Sequence, residues 1–254
     1  MEKSKQLVIT ILAEDLDGIE DKEGLIVLKR ISETPMIVRL IHEMQKLNPR
    51  KIFIVTGKNE ILIKDVLREF MPIHSVEFIN QGELNGSGYA IENLKNKLKK
   101  YNYSNVLILK GNVPLFSKAI VSSMLERQDK VQVCIGKMQN PGRKDRVVIK
   151  DNKLKKIINI NDCKEEEMKI KYYHTGIYLI DNMILCKYVD YIKNNNSKFK
   201  YYLSDIIEII KNYENIAIQM NKIGPTEHIQ IMPIIKNDDL KEIDCYVGAL
   251  ECIY

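Results

Sequence analysis

The chain has no apolar run long enough to cross a bilayer, and its opening MEKSKQ lacks the apolar stretch of a secretory signal. Both absences argue against a membrane-spanning or exported protein and lead to a cytoplasmic expectation. Cysteine is scarce and odd in number (Cys134, Cys163, Cys186, Cys245 and Cys252), with no C-x-x-C pair. That argues against a disulfide framework or a structural zinc site, and for reduced thiols. The histidines, His42, His74, His174 and His228, are scattered without ligand-like spacing. No repeat of solenoid period and no Pro/Gly/Ser-rich linker interrupts the chain, so a single domain is expected over residues 1–254.

What is present is ordinary for a globular protein: 254 residues, 45% hydrophobic and 29% charged, enough to bury a sizeable core. The net charge of +5 is spread over many lysines mixed with acids, the pattern of solvated helix faces. The densest basic run, residues 95–100 (KNKLKK), reads as a helix end, where cations complement the dipole.

Residues 7–13 (LVITILA) are a continuous apolar run of strand length, read as a buried parallel strand. Residues 14–24 (EDLDGIEDKEG) follow as a strongly acidic loop, at the position where α/β sheets grip ligands. Thr34 and Pro35 read as a helix N-cap and first helical position, followed by Ile37, Leu40, Ile41, Met44 and Leu47 at helical spacing. Strand and helix then alternate through residues 51–57, a helix with Ile63, Val66, Leu67 and Phe70, a strand at 76–79, a helix to Lys100 and a strand at 105–111. This order predicts an α/β fold with a mostly parallel central sheet and helices on both faces. Beyond it, 131–135 reads as a strand, 146–160 as a β-hairpin turning at Asp151 and Asn152, 173–180 as a strand, and Leu203, Ile206, Ile207 and Ile210 as a helix face.

The punctuation of this order resembles the sugar-1-phosphate nucleotidyltransferases, closest to the uridyltransferase (pyrophosphorylase) domain of bacterial N-acetylglucosamine-1-phosphate uridyltransferase. The likeness covers about residues 6–222, leaving 223–254 as a C-terminal tail with no room for a hexapeptide-repeat acetyltransferase domain. It is carried by Leu12 and Ala13 closing the first strand, TPMI at 34–37, VTG at 55–57, Gln81 with GSGYA at 86–90, GNVPL at 111–115, TGI at 175–177 and YYLSDI at 201–206. The resemblance implies a Rossmann-like nucleotide-diphospho-sugar transferase fold with a hairpin extension, and the reaction of UTP with GlcNAc-1-phosphate to give UDP-GlcNAc and pyrophosphate. It implies UTP or a UDP-sugar as partner and Mg²⁺ as cofactor. Positioning and charge neutralisation supply the rate of such a transfer. Nucleotide contacts are expected at Leu12, Ala13, Gln81, Gly86 and Ser87, sugar contacts at Asp145, Asn159, His174 and Thr175, and metal contacts at Asn112 and Glu227.

The chain departs from the family where phosphate and metal are held. Asp15 and Asp17 stand at the family's loop glycines, Ile19 at its Arg, and Leu25 and Ile26 at its Pro-Lys pair. Asn112 stands at a metal-binding Asp, Lys110 at an aromatic residue, Asp145 at a glycine, Asn159 at a Glu, His174 at an Asn, and Glu227 near a second metal-binding Asn. A carboxylate about 6 Å from a phosphate charge costs roughly 2–3 kcal/mol at an effective dielectric near 20. The expectation is therefore a pyrophosphorylase-like protein whose activity is impaired or absent and whose Mg²⁺ site is weakened. Three alternatives are carried forward: a working enzyme rescued by Lys22, Lys29 or Arg30; a non-catalytic nucleotide-sugar-binding or scaffold relative; and a basic nucleic-acid binder.

Overall fold

In a computed structural model, residues 6–13, 25–83, 85–214, 216–235 and 237–251 are described. The acidic loop at 14–24, with Asp15, Asp17, Ile19 and Lys22, lies outside them. Strand β1 (Gln6–Leu12) is the apolar run expected there. It pairs in parallel with β4 (Lys51–Thr56) on one side and β6 (Ser104–Lys110) on the other, and β4 pairs in parallel with β5 (Glu77–Asn80). Two very short strands, β2 (Arg30–Ile31) and β3 (Thr34–Pro35), pair with each other. The main sheet runs β11-β7-β10-β6-β1-β4-β5, where β7 is Val131–Lys137, β10 is Tyr172–Asp181 and β11 is Gln219–Lys222. Strand β10 is antiparallel to both neighbours, and the hairpin β8 (Arg146–Lys150) and β9 (Lys153–Ile158) hangs from it.

The unbroken apolar character of β1 has a direct cause. Leu7, Ile9 and Ile11 enter one core cluster with Ile37, Ile41 and Met44 of α1 (Met36–Gln45), Ile63 and Leu67 of α2 (Glu60–Phe70), and Val121 and Met124 of α4 (Lys118–Glu126). Val8 and Leu12 enter a second cluster on the other face, with Ile91 and Leu94 of α3 (Ser87–Leu98), Leu185 of α6 (Asn182–Tyr188) and Ile207 and Ile210 of α7 (Ile206–Glu214). Both faces are covered, so neither face can be polar. A third, smaller cluster forms where α8 (Asn237–Glu251) packs through Ile243 and Val247 on Ile31, Met36, Met232 and Ile234. A single helical turn, α5 (Glu165–Met168), precedes β10.

The hairpin turn at Asp151 and Asn152 is as expected, with both residues at positive φ (53° and 54°). The expected cap of α1 is not. Pro35 itself is the N-cap, and Thr34 belongs to β3 and makes no capping hydrogen bond. The Pro fixes φ one residue earlier than the sequence pattern suggests, because Thr34 is held in extended pairing with Ile31.

Candidate functional site

A cleft of about 400 Å³ opens at the carboxyl ends of β1 and β6. Leu12, Gly111 and Ser87 meet in it; Ile26, Val27 and the tail residues Pro233, Ile234 and Ile235 line it too, as do residues from 143–145, 159–161 and 174–176. This is where ligands sit in open α/β sheets.

Each part of the lining has a local cause. Between His174 and Tyr178, β10 loses register with β7, and Gly176 turns through φ +81°. The irregularity re-aims side chains away from the ladder. Thr175 Oγ1 donates to the Cys134 carbonyl at 2.9 Å and is thereby occupied. The Gly176 N–H donates to His174 Nδ1 at 3.3 Å, so the imidazole proton sits on Nε2, which is buried and has no partner. Burial, assisted by the positive charge of Lys110, pushes the His174 imidazole down to about 3. The loop before β8 is fixed by Arg146. Its fully buried guanidinium donates to the carbonyl of Gly142 at 2.8 Å and to that of Lys144. Asp145 Oδ1 accepts from the Ile160 N–H at 2.9 Å, tying this loop to the end of β9. Asn159, in turn, caps the short turn 160–162 through the Asn161 N–H at 3.0 Å.

Of the residues expected to contact ligand, Leu12, Ser87, Asn112, Asp145, Asn159, His174 and Thr175 line the cleft, and Ala13, Gln81, Gly86 and Glu227 do not. Ala13 is fully buried in the core. Gly86 packs on the backbone of Tyr201: its φ is +104°, and a Cβ there would lie 2.5 Å from the Tyr201 carbonyl oxygen. The neighbouring Gly88 N–H donates to that same oxygen at 2.7 Å, and Ser87 Oγ accepts from the Leu203 N–H at 3.0 Å. The GSG turn is thus a seat for residues 201–203. Gln81 is 4% exposed at the carboxyl end of β5, and both polar atoms of its side-chain amide lack partners.

Sequence reasoning missed two features of the lining. Pro233, Ile234 and Ile235 come from the tail, with no local signal to announce them. Arg143, Lys144 and Lys198 join Lys110 in the lining, where Asp145 is the one carboxylate among the described residues. The first pair is visible in the sequence as the RK of PGRKDR, inside the loop expected to face sugar.

A family model described as nucleotidyl transferase matches residues 26–224. The chain belongs to this family. A protein of Acanthamoeba polyphaga mimivirus described as a UDP-N-acetylglucosamine pyrophosphorylase is 30% identical over 95% of this chain and 96% of its own length. The bifunctional protein GlmU of Sulfurimonas denitrificans is 28% identical over 94% of this chain, which spans 50% of that longer protein. Among solved structures, a UDP-glucose pyrophosphorylase in complex with UDP-glucose aligns over 96% of this chain and 99% of its own, with a TM-score of 0.72 at 12% identity. A structure from Bacillus anthracis assigned as a glucose-1-phosphate thymidylyltransferase aligns over 94% of each chain, with a TM-score of 0.69 at 17% identity. At those identities the solved structures establish the Rossmann-like fold alone. The likeness to sugar-1-phosphate nucleotidyltransferases is therefore a family relationship.

Members of this nucleotidyltransferase family use Mg²⁺, and the described residues fit it poorly. Asn112 Nδ2 donates to the Ile234 carbonyl at 2.8 Å, and the Ile234 N–H donates back to the Asn112 carbonyl at 2.9 Å. The side chain expected to hold metal therefore ties down the tail, leaving only a buried, neutral, unpartnered Oδ1. Glu227 is exposed and off the cleft lining, and no cluster of three or more His, Cys, Asp or Glu suited to a metal occurs among the described residues. Mg²⁺ prefers an octahedron of oxygens with carboxylate or phosphate charge, which one neutral amide oxygen does not supply. Two of the cations expected as substitutes are also engaged elsewhere. Lys29 Nζ donates to Asn237 Oδ1 at 2.7 Å, and Arg30 pairs with Glu33 at 3.8 Å and lies over the Phe70 ring.

Proposed function

We propose that the chain binds a uridine diphospho-sugar of the UDP-N-acetylglucosamine class across the carboxyl ends of the parallel strands, with the sugar end in this cleft and the base beside Gln81, off the cleft lining, and turns it over slowly or not at all. The family reaction, UTP and GlcNAc-1-phosphate to UDP-GlcNAc and pyrophosphate, is the ancestral one. Its mimivirus relative, alike over nearly the full length of both chains, supports that choice of nucleotide and sugar. The observation that carries the reading is the Gln81 amide, buried at the ligand end of the sheet with a donor and an acceptor both unpaired. Unpaired buried amides are rare, because each polar atom left without a partner is costly. One donor beside one acceptor complements the N–H and carbonyl of a uracil imide edge.

Impairment rests on what faces the phosphates. Ile26, at the family's Lys position, lines the cleft beside Val27 and offers no charge. Asn112 is committed to the tail. Asp15, Asp17 and Ile19, which lie outside the described residues, replace the glycines and the Arg of the phosphate loop. Removing several members of a group that acts together reduces the rate far more than any single loss suggests.

Calorimetric titration of UDP-GlcNAc into the wild-type chain and into Gln81→Leu tests the binding claim. Binding by the wild type, and at least about tenfold loss in the variant, is expected for removal of a two-point polar contact. Equal affinity in both, or no binding by the wild type, contradicts it.

A further inference from the structure

A nucleotide sugar brings a diphosphate, yet the loop after β1 has carboxylates at 15 and 17 and no cation at 19 or 26. The β10 side of the cleft has the opposite character. Lys110 closes β6, Arg143 and Lys144 stand on the loop before β8, and Lys198 reaches in from the segment between α6 and α7. The only carboxylate in this lining among the described residues, Asp145, accepts a backbone N–H from Ile160.

This basic side is a built feature. Buried Arg146 holds the carbonyls of Gly142 and Lys144, which fixes the backbone carrying Arg143 and Lys144. The same lining contains His174, 7% exposed, whose Nε2–H has no acceptor. A buried N–H without a partner is a standing cost that an incoming oxygen removes. The positive charge of Lys110 also reaches the His174 ring and, with burial, keeps it neutral. At neutral pH His174 is thus a hydrogen-bond donor and not a cation, and the neighbouring side chains supply the charge.

We infer that the anionic group of the ligand is gripped on the β10 side, with His174 Nε2–H donating to a phosphate oxygen and Lys110, Arg143, Lys144 and Lys198 offsetting its charge. The ligand class is a sugar phosphate, free or as the sugar half of a nucleotide diphospho-sugar. This deepens the proposed function and rests on it for the identity of the sugar and base. Phosphate binding has been moved from the loop after β1 to the strands and loops that flank the sugar.

The test uses the full chain and its double variant Arg143→Gln/Lys198→Gln, both exposed rim positions whose loss leaves the core intact. The control is Lys99→Gln/Lys100→Gln, the same change in charge at the far end of α3. Each is titrated calorimetrically with UDP-GlcNAc, GlcNAc-1-phosphate and uridine, at low and at high salt. The rim variant is expected to weaken both phosphate ligands by about tenfold or more and to flatten their salt dependence. Uridine binding should move less than about twofold, and the control should leave all three unchanged. Unaltered phosphate affinity in the rim variant overturns the basic grip and leaves the nucleotide-sugar reading standing. Phosphate binding that the rim variant loses, with no uridine binding in any protein, sustains the grip and sinks the nucleotide reading. Binding of none of the three ligands overturns both.

Discussion

His174 shows how far one residue's setting can depart from its sequence context. Its folded pKa, about 3, lies below the ordinary value of 6.5 because burial and Lys110 both oppose a second proton. Between those values the unfolded chain binds a proton that the folded chain refuses. Folding is therefore unaffected by this group above about pH 7 and loses stability as pH falls, by up to roughly 1.4 kcal/mol per pH unit. Urea denaturation at pH 7.5 and pH 5 should show the wild type losing about 2 kcal/mol more than His174→Gln over that interval. Parallel losses in the two proteins would show that His174 is not held neutral. The sequence marked this position as one where a family Asn is replaced. It did not show that the ring would be buried in the lining of a cleft with Nε2–H unpartnered, because that depends on the break in register between β10 and β7. Asn112 makes the same point in reverse: its type suggested a weakened metal ligand, and its partner, Ile234, is 122 positions away.

Elements were the most legible scale. Buried parallel strands read as unbroken apolar runs, half-buried hairpin strands alternate with period two and amphipathic helices repeat every 3.6 residues, and β1, α1, α2, β6 and the β8–β9 hairpin fall where those patterns place them. Errors came at junctions, as at Thr34 and Pro35, where pairing between two-residue strands outweighs capping preference. The GSG turn before α3 was legible as a word and not as a contact. Its glycines make room for the backbone of Tyr201, which brings residues 202–204 to the cleft. Gly86→Ala combines φ +104° with a 2.5 Å approach to a carbonyl oxygen that another hydrogen bond holds in place. It should cost more than about 3 kcal/mol in a denaturant melt. Gly82→Ala, at φ +68° with nothing within 4 Å of the added Cβ, should cost only about 1–2 kcal/mol. Equal costs for the two would mean that the seat for Tyr201 is not tight.

At the scale of the whole molecule, the chain keeps a nucleotidyltransferase scaffold, and the proposal above redistributes its ligand chemistry. The mostly parallel sheet with helices on both faces is the fold of the family's solved relatives. The tail is part of that redistribution. Through Ile243 and Val247 it closes a third core over Ile31 and Met36, through Ile234 it occupies Asn112, and its residues 233–235 line the cleft beside Ile26. None of this follows from local sequence, since it joins segments near both ends of the chain. Phosphorus NMR on the protein with UDP-GlcNAc, pyrophosphate and Mg²⁺ reports binding and turnover in one spectrum. The diphosphate resonances of UDP-GlcNAc are expected to shift or broaden while no UTP or GlcNAc-1-phosphate accumulates. UTP resonances growing at an ordinary enzymatic rate, about one turnover per second or faster, would contradict that expectation.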